Sequence, residues 1–399
     1  MSARGFSRRN LDWKFSKKGD WRIIYMKYFQ TYTSNTCAGS GNQLVFGTDG
    51  QEHVGRIYYK IRTGGTYRYS FLFSNLMDST FADGSVSHKN LICDQWTITG
   101  ARVGTCAKES ESMLDVNRDI SCRELNVNGW KQLLFGGETE KEVMPGAFFA
   151  TDPVMLTFEK EEYLCLEIRY QGEMIPYHEE SLLPAFVWNG EQWEYSKQVP
   201  FPGMIGCDRP VKRRIAYLGD SITQGIGTEK NSYDHWNALV SEWLGDEYAC
   251  WNLGLGFGRA NDAASDGAWL FKAKQNDVIV ICYGVNDLLQ GMSEQQIADD
   301  LTVLAKTLKG LGRTVLLQTI PPFEYQGETR EIWKRLNEYI KTELAKLVDC
   351  VFDVVPVLQV DEEHSHQAKY GAHPNAEGCR KWAEALYPVM KQMLEETEI

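Results

Sequence analysis

The feature that most limits what this chain can fold into is a change of rhythm near its middle. Up to about residue 205, apolar residues recur at every second position between turn signals, as in strands with one face buried. In Tyr67-Arg-Tyr-Ser-Phe-Leu-Phe-Ser, the side chains of Tyr67, Tyr69, Phe71 and Phe73 fall on one face. Leu164, Leu166, Ile168 and Tyr170 do the same, and Val154-Met-Leu-Thr-Phe158 alternates likewise. Thr63-Gly-Gly and Asp83-Gly84 read as turns, and almost nothing in this half has helical period. The expected fold of residues 1–205 is an antiparallel β-sandwich.

Val199-Pro-Phe-Pro-Gly-Met-Ile-Gly-Cys-Asp-Arg-Pro210 is rich in Pro and Gly and reads as a linker. Across residues 206–399, short apolar runs alternate with helical patterns. The runs are Ile215–Leu218, Tyr248–Leu253, Val278–Tyr283, Thr314–Ile320 and Cys350–Val354, each fit for a strand buried on both faces. Ser293-Glu-Gln-Gln296 has capping-box spacing ahead of Ile297, Leu301, Leu304 and Leu308, and a last helix is expected after Asn375. This alternation predicts an α/β fold with a parallel, doubly wound sheet. A length of 399 residues suits two domains.

A net charge of −12 argues against nucleic acid or anionic membrane surfaces as partners. No run approaches the ~18 apolar residues of a membrane helix. The opening Met1-Ser-Ala-Arg-Gly-Phe lacks the apolar stretch of a secretory signal. Ten cysteines are scattered without a CxxC pair or zinc-like spacing, so they read as reduced core residues of a cytoplasmic protein that holds no metal.

Ser221 directly follows the first buried run, at the carboxyl end of a strand where open α/β sheets bind ligands. By itself it would serve as well for a helix cap as for a nucleophile. Asn286, in Gly284-Val-Asn-Asp287, follows the third run and has the composition of an ordinary turn. His373, in His373-Pro-Asn375, precedes the last helix. Taken in order, Gly219-Asp-Ser-Ile-Thr223, Asn252-Leu-Gly-Leu-Gly-Phe-Gly258, Gly284-Val-Asn-Asp287 and His373-Pro-Asn375 resemble the blocks of the SGNH/GDSL hydrolases.

That resemblance implies a flavodoxin-like, three-layer αβα domain with strand order 2-1-3-4-5. Ser221 would then be the nucleophile and His373 its general base, with no cofactor. Asn286 and a backbone amide in Gly256–Gly258 would form the oxyanion hole. Counted from Asn252, the family's usual donor glycine falls on Phe257, so the donor is not fixed to Gly256 or Gly258. The family's usual Asp lies three residues before the His, where this chain has Tyr370. The preferred expectation is a Ser-His dyad oriented by a backbone carbonyl; Asp361, Glu362, Glu363 or Tyr370 itself are the alternatives.

Phe73-Ser-Asn75, Phe135-Gly-Gly137, Pro145-Gly-Ala and Thr151-Asp-Pro153 resemble the jelly-roll-like sandwich that precedes some of these hydrolases. Because such sandwiches resemble carbohydrate-binding modules, the expected reaction is hydrolysis of a short acyl ester, acetyl foremost, on a saccharide or other small hydroxylated molecule. An acyltransferase or a non-catalytic carbohydrate-binding protein are the alternatives. Trp96, Trp188 and Trp193 are candidates for stacking on a sugar, though tryptophan more often serves the core. Pro321-Pro-Phe-Glu-Tyr325 is expected on the active-site side.

Overall fold

The computed structural model describes residues 21–38, 42–79, 88–107, 127–179, 181–265, 268–361, 368–370 and 372–397. In the first half the strands form antiparallel sheets. Gly65–Ser74 lies in one five-stranded sheet with Thr33–Ser34, Met204–Cys207, Phe148–Ala150 and Val154–Phe158. Tyr163–Gln171 is central to a seven-stranded sheet, between Glu52–Lys60 and Trp96–Cys106. A four-stranded sheet includes Asn42–Gly47 and Met174–Glu179. Asp83-Gly84 lies outside the described residues.

The alternation read from the sequence becomes one shared core. Tyr69, Phe71 and Phe73 pack with Leu164, Leu166, Ile168 and Tyr170. The opposite face of Gly65–Ser74 is covered too, because Leu72 joins a second core made mostly of the α/β half. Tyr28, Phe29, Cys37, Leu76, Phe148 and Met204 join it there. The two halves are therefore packed through a common apolar cluster.

Part of that cluster comes from a helix, Trp21–Thr31, in the half expected to hold almost none. Its period is hidden because Ile23 and Met26 point to solvent while Tyr28 and Phe29 are buried, so apolar residues occupy both faces. Phe29 meets Trp251 of the parallel sheet at 5.1 Å between ring centroids. Arg62 and Arg209, both buried, bind the junction further: each donates to the Tyr248 carbonyl, at 2.7 and 3.1 Å, just beyond the helix Trp236–Leu244. Cations suit that end of a helix, where carbonyls are left unpaired.

Five parallel strands form the second half's sheet: strand one Arg213–Gly219, two Tyr248–Gly254, three Val278–Cys282, four Thr314–Gln318 and five Cys350–Phe352. Their spatial order is 2-1-3-4-5. Every residue of strands two, three and four is buried, as helices on both faces require. Strands four and five end earlier than the apolar runs suggest: the Thr319 amide still donates to Phe352, but Val354 turns to donate to the Thr319 hydroxyl. Ser293 and Gln296 exchange capping bonds at the start of Glu294–Gly310, and Asn375 caps Ala376–Glu396 through the Gly378 amide at 3.1 Å.

The nine described cysteines are all free thiols, eight of them buried. Among the described residues, no helix is long and apolar enough to cross a membrane.

Candidate active site

The sheet order decides what surrounds Ser221. Strand one lies between strands two and three, with Gly219 in register with Gly254 on one side and Cys282 on the other. The chain after each strand end therefore converges on one point: Asp220-Ser221, the turn from Leu255, and Tyr283-Gly284. Two glycines make the convergence close enough. A Cβ on Gly219 would lie 2.1 Å from Thr223 Oγ1, and one on Gly254 would lie 2.0 Å from the Gln224 nitrogen.

Ser221 opens a helix of four residues, Ser221–Gln224, but does not cap it. Asp220 takes that task, its carboxylate accepting from the Ile222 amide at 2.9 Å. The serine hydroxyl is left to other work, and it lies 2.9 Å from His373 Nε2. That distance suits proton transfer from Oγ to the imidazole.

Asn286 stands in the first turn of Val285–Leu289 and donates from Nδ2 to the Gly258 carbonyl at 3.0 Å. A carboxamide nitrogen carries two hydrogens, so this bond fixes the amide while its second hydrogen is directed elsewhere. Asp287 beside it accepts from the Ala260 amide at 3.1 Å. Consecutive side chains of one short helix thus grip the segment 258–260.

The turn Leu255–Gly258 is pinned at both ends. The Leu255 amide donates to Gly219, and the Gly258 amide donates to Leu255 at 2.8 Å. The Gly258 N–H closes the turn and its carbonyl serves Asn286. Gly256 and Phe257 are the central residues, and Phe257 has φ of 60°. A turn with positive φ at its third position normally takes glycine, and a left-handed residue with a side chain costs roughly 1–2 kcal/mol. Phe257 holds this left-handed backbone with its ring 37% exposed.

Beneath the site two carboxyls lie out of water. Burial pushes Asp220 up to about 7, with the nearby Asp287 adding to the rise, and burial likewise pushes Asp287 up to about 7. Tyr325, buried beside them, is raised by burial and then by Asp220, Cys282 and Asp287.

His373 lies in a two-residue strand whose partner is Ala368–Tyr370, with Tyr370 opposite His373 in the backbone register. The structure describes the backbone of Tyr370 and not its side chain. Asp361 is exposed, and Glu362 and Glu363 lie outside the described residues. Phe323 sets its ring edge-on to the imidazole, 5.1 Å between centroids at 81°, so the 321–325 loop does reach the site. Gly227 packs behind: a Cβ there would meet the Pro374 carbonyl at 2.6 Å and His373 Cβ at 3.1 Å.

Of the three tryptophans, Trp96 is buried and donates to Asn75 at 3.0 Å, and Trp193 is buried under the Arg56 guanidinium, 4.1 Å from its centroid. Trp188 alone of the three is exposed, at 39%. The roles of Asp220, Asp287 and Gly227 were missed in the sequence. Only the adjacency of Asp220 to Ser221 and of Asp287 to Asn286 pointed toward the first two.

No curated protein sequence matches the chain. Among solved structures, it is similar to a member of the lipolytic protein G-D-S-L family from Veillonella parvula, at 18% identity over 45% of this chain and 98% of that one, with a TM-score of 0.37. It is also similar to the psychrotrophic esterase EstA from Pseudoalteromonas sp., at 17% identity over 46% of this chain and 98% of that one, with a TM-score of 0.37. A carbohydrate acetylesterase family member from Sinorhizobium meliloti is 19% identical over 46% of this chain and 99% of that one, with a TM-score of 0.35. Residues 217–381, within the α/β region, match the family described as GDSL-like Lipase/Acylhydrolase.

Proposed function

We propose that this protein is a serine esterase that removes a short acyl group, acetyl foremost, from a saccharide or other small hydroxylated molecule. The observation that carries the proposal is the 2.9 Å contact between Ser221 Oγ and His373 Nε2 at the carboxyl end of the first parallel strand. His373 takes the serine proton as Oγ attacks the ester carbonyl. The tetrahedral oxyanion is met by the Asn286 amide, the Ser221 N–H and a backbone N–H of Gly256 or Phe257. His373 then protonates the leaving alcohol, and water repeats the attack on the acyl-enzyme to release the acid.

Phe323 stands against the imidazole and narrows that side of the site, which supports a short acyl group over a long one. We further place the end of the sandwich after Cys207, two residues beyond the expected 205, because Met204–Cys207 pairs with Gly65–Ser74. The hydrolase unit then begins near Arg213, where the parallel sheet starts.

Turnover of p-nitrophenyl acetate and labelling of Ser221 by a fluorophosphonate test the reading; absence of both removes it. Mass analysis of products with an added alcohol distinguishes hydrolysis from acyl transfer to that alcohol.

A further inference from the structure

We infer that the β-sandwich acts as a positioning element for the base, holding His373 through the segment Gly225–His235. This rests on the Ser221–His373 reading above and assigns the sandwich a part in it.

The segment leaves the nucleophile's helix, passes behind the imidazole and enters the helix Trp236–Leu244. Four of its residues have positive φ: Gly225 at 114°, Gly227 at 105°, Asn231 at 61° and Tyr233 at 55°. The two glycines are where it touches the site. Gly225 caps the nucleophile's helix, its amide donating to the Ser221 carbonyl at 3.0 Å, and Gly227 packs on His373 and Pro374.

Asn231 and Tyr233 carry side chains in a conformation that persists only when surroundings over-determine it. Here the surroundings of both include sandwich residues. The Asn231 amide N–H donates to Leu182 at 2.8 Å, and its Nδ2 donates to the Tyr163 hydroxyl at 3.1 Å, where both residues are buried. The Tyr233 hydroxyl accepts from the Lys60 amide at 3.1 Å. The Lys230 ammonium sits 4.4 Å from the Tyr195 ring centroid. Leu182 also closes on Gly225: a Cβ there would lie 2.7 Å from Leu182 Cδ1.

A segment fixed at one end by four sandwich residues and at the other by Ser221 and His373 cannot shift without moving the imidazole. Geometry of that kind governs rate steeply, since a misplacement of about 1 Å can cost about a hundredfold.

The test uses the full chain and two variants that delete the same bond from opposite sides. Asn231→Gly keeps the left-handed backbone and loses the amide; Tyr163→Phe loses only the hydroxyl. With p-nitrophenyl acetate, each is expected to lower kcat about tenfold with KM within about twofold, and to displace the acid limb of the pH profile of kcat/KM. The double variant is expected to fall no further than either single one. Unchanged kcat in folded variants, or a loss that lies wholly in KM, overturns the inference, whatever happens to the melting temperature. If either variant does not fold, Lys230→Met, at the half-buried edge, is expected to lower kcat in smaller measure, and no loss there overturns it equally. Ser221→Ala is run beside them: a parent protein with no Ser221-dependent turnover removes the functional reading instead.

Discussion

The turn on one side of Ser221 is held by bonds from within the α/β unit, whereas the histidine on the other side is backed by a segment that leans on the sandwich. Leu255–Gly258 is gripped by Gly219, Asn286 and, through Ala260, Asp287, all at strand ends of one sheet. His373 stands on a two-residue strand far along the chain, backed by Gly227 and faced by Phe323. Rigid strand ends suit donors that must be in place before charge develops. In the mechanism proposed above the imidazole carries its proton from Oγ to the leaving group, and the segment behind it is tied to the neighbouring sandwich. One active site is thus anchored in two ways.

The comparison can be broken most forcefully at its shared centre. Ser221→Ala is expected to abolish esterase activity, a loss on the order of 10⁴-fold or more in kcat, with the melting temperature little changed. Residual turnover near the parent's would remove the serine from both sides. Asn286→Ala is expected to cost about 10²–10³-fold in kcat, the range for one oxyanion donor, together with a loosened turn because Gly258 loses its partner.

Phe257 sharpens the first side. Phe257→Gly keeps the backbone amide and suits φ of 60°, so kcat is expected to hold within a few-fold; Phe257→Pro, with no N–H and φ fixed near −65°, is expected to approach the Asn286→Ala loss. Equal activity of the two variants would show that the turn's backbone has no part in the reaction. On the other side, Asp361→Ala, Glu362→Ala and Glu363→Ala are each expected to leave most activity, as a base without a side-chain acid requires; a large loss in one would supply the missing carboxylate.

The smallest effect is thermodynamic. The folded Asp287 carboxyl titrates at about 7 against an ordinary 3.8, so folding favours its protonated form. Its contribution is complete below about 4 and is lost as pH rises to about 7. Asp287→Asn removes that slope while leaving an acceptor for Ala260. Thermal melts at pH 4 and pH 7 should differ less in the variant than in the parent, and an unchanged difference would contradict the assignment.

Much of this was legible in the sequence, for physical reasons. Strands buried on both faces must be unbroken apolar runs, so the five parallel strands announced themselves, and the residues that follow them carried Ser221 and Asn286. The order 2-1-3-4-5 then brought them together with His373. What stayed hidden depended on partners remote in sequence. Thr33 pairs with Cys207, and nothing local in either segment says so. The helix Trp21–Thr31 has a burial pattern set by what covers it, not by its own period. The bond from the Gly258 amide to Leu255 depends on how the turn closes, which no residue type in it dictates.

The shared core bears on how the chain is made. Cys37 and Ser241 touch at 3.3 Å although they are 204 positions apart, and Phe29 waits for Trp251 in the same way. During synthesis from the N-terminus the sandwich emerges first, with Phe29, Leu72 and Met204 still lacking the surface that will cover them. Contacts of such long range slow folding and leave apolar faces open to wrong partners meanwhile. A nascent chain of this design gains from a chaperone or from slow handover at the ribosome, and a gene split at the linker would yield two fragments that each keep a sticky face until they meet.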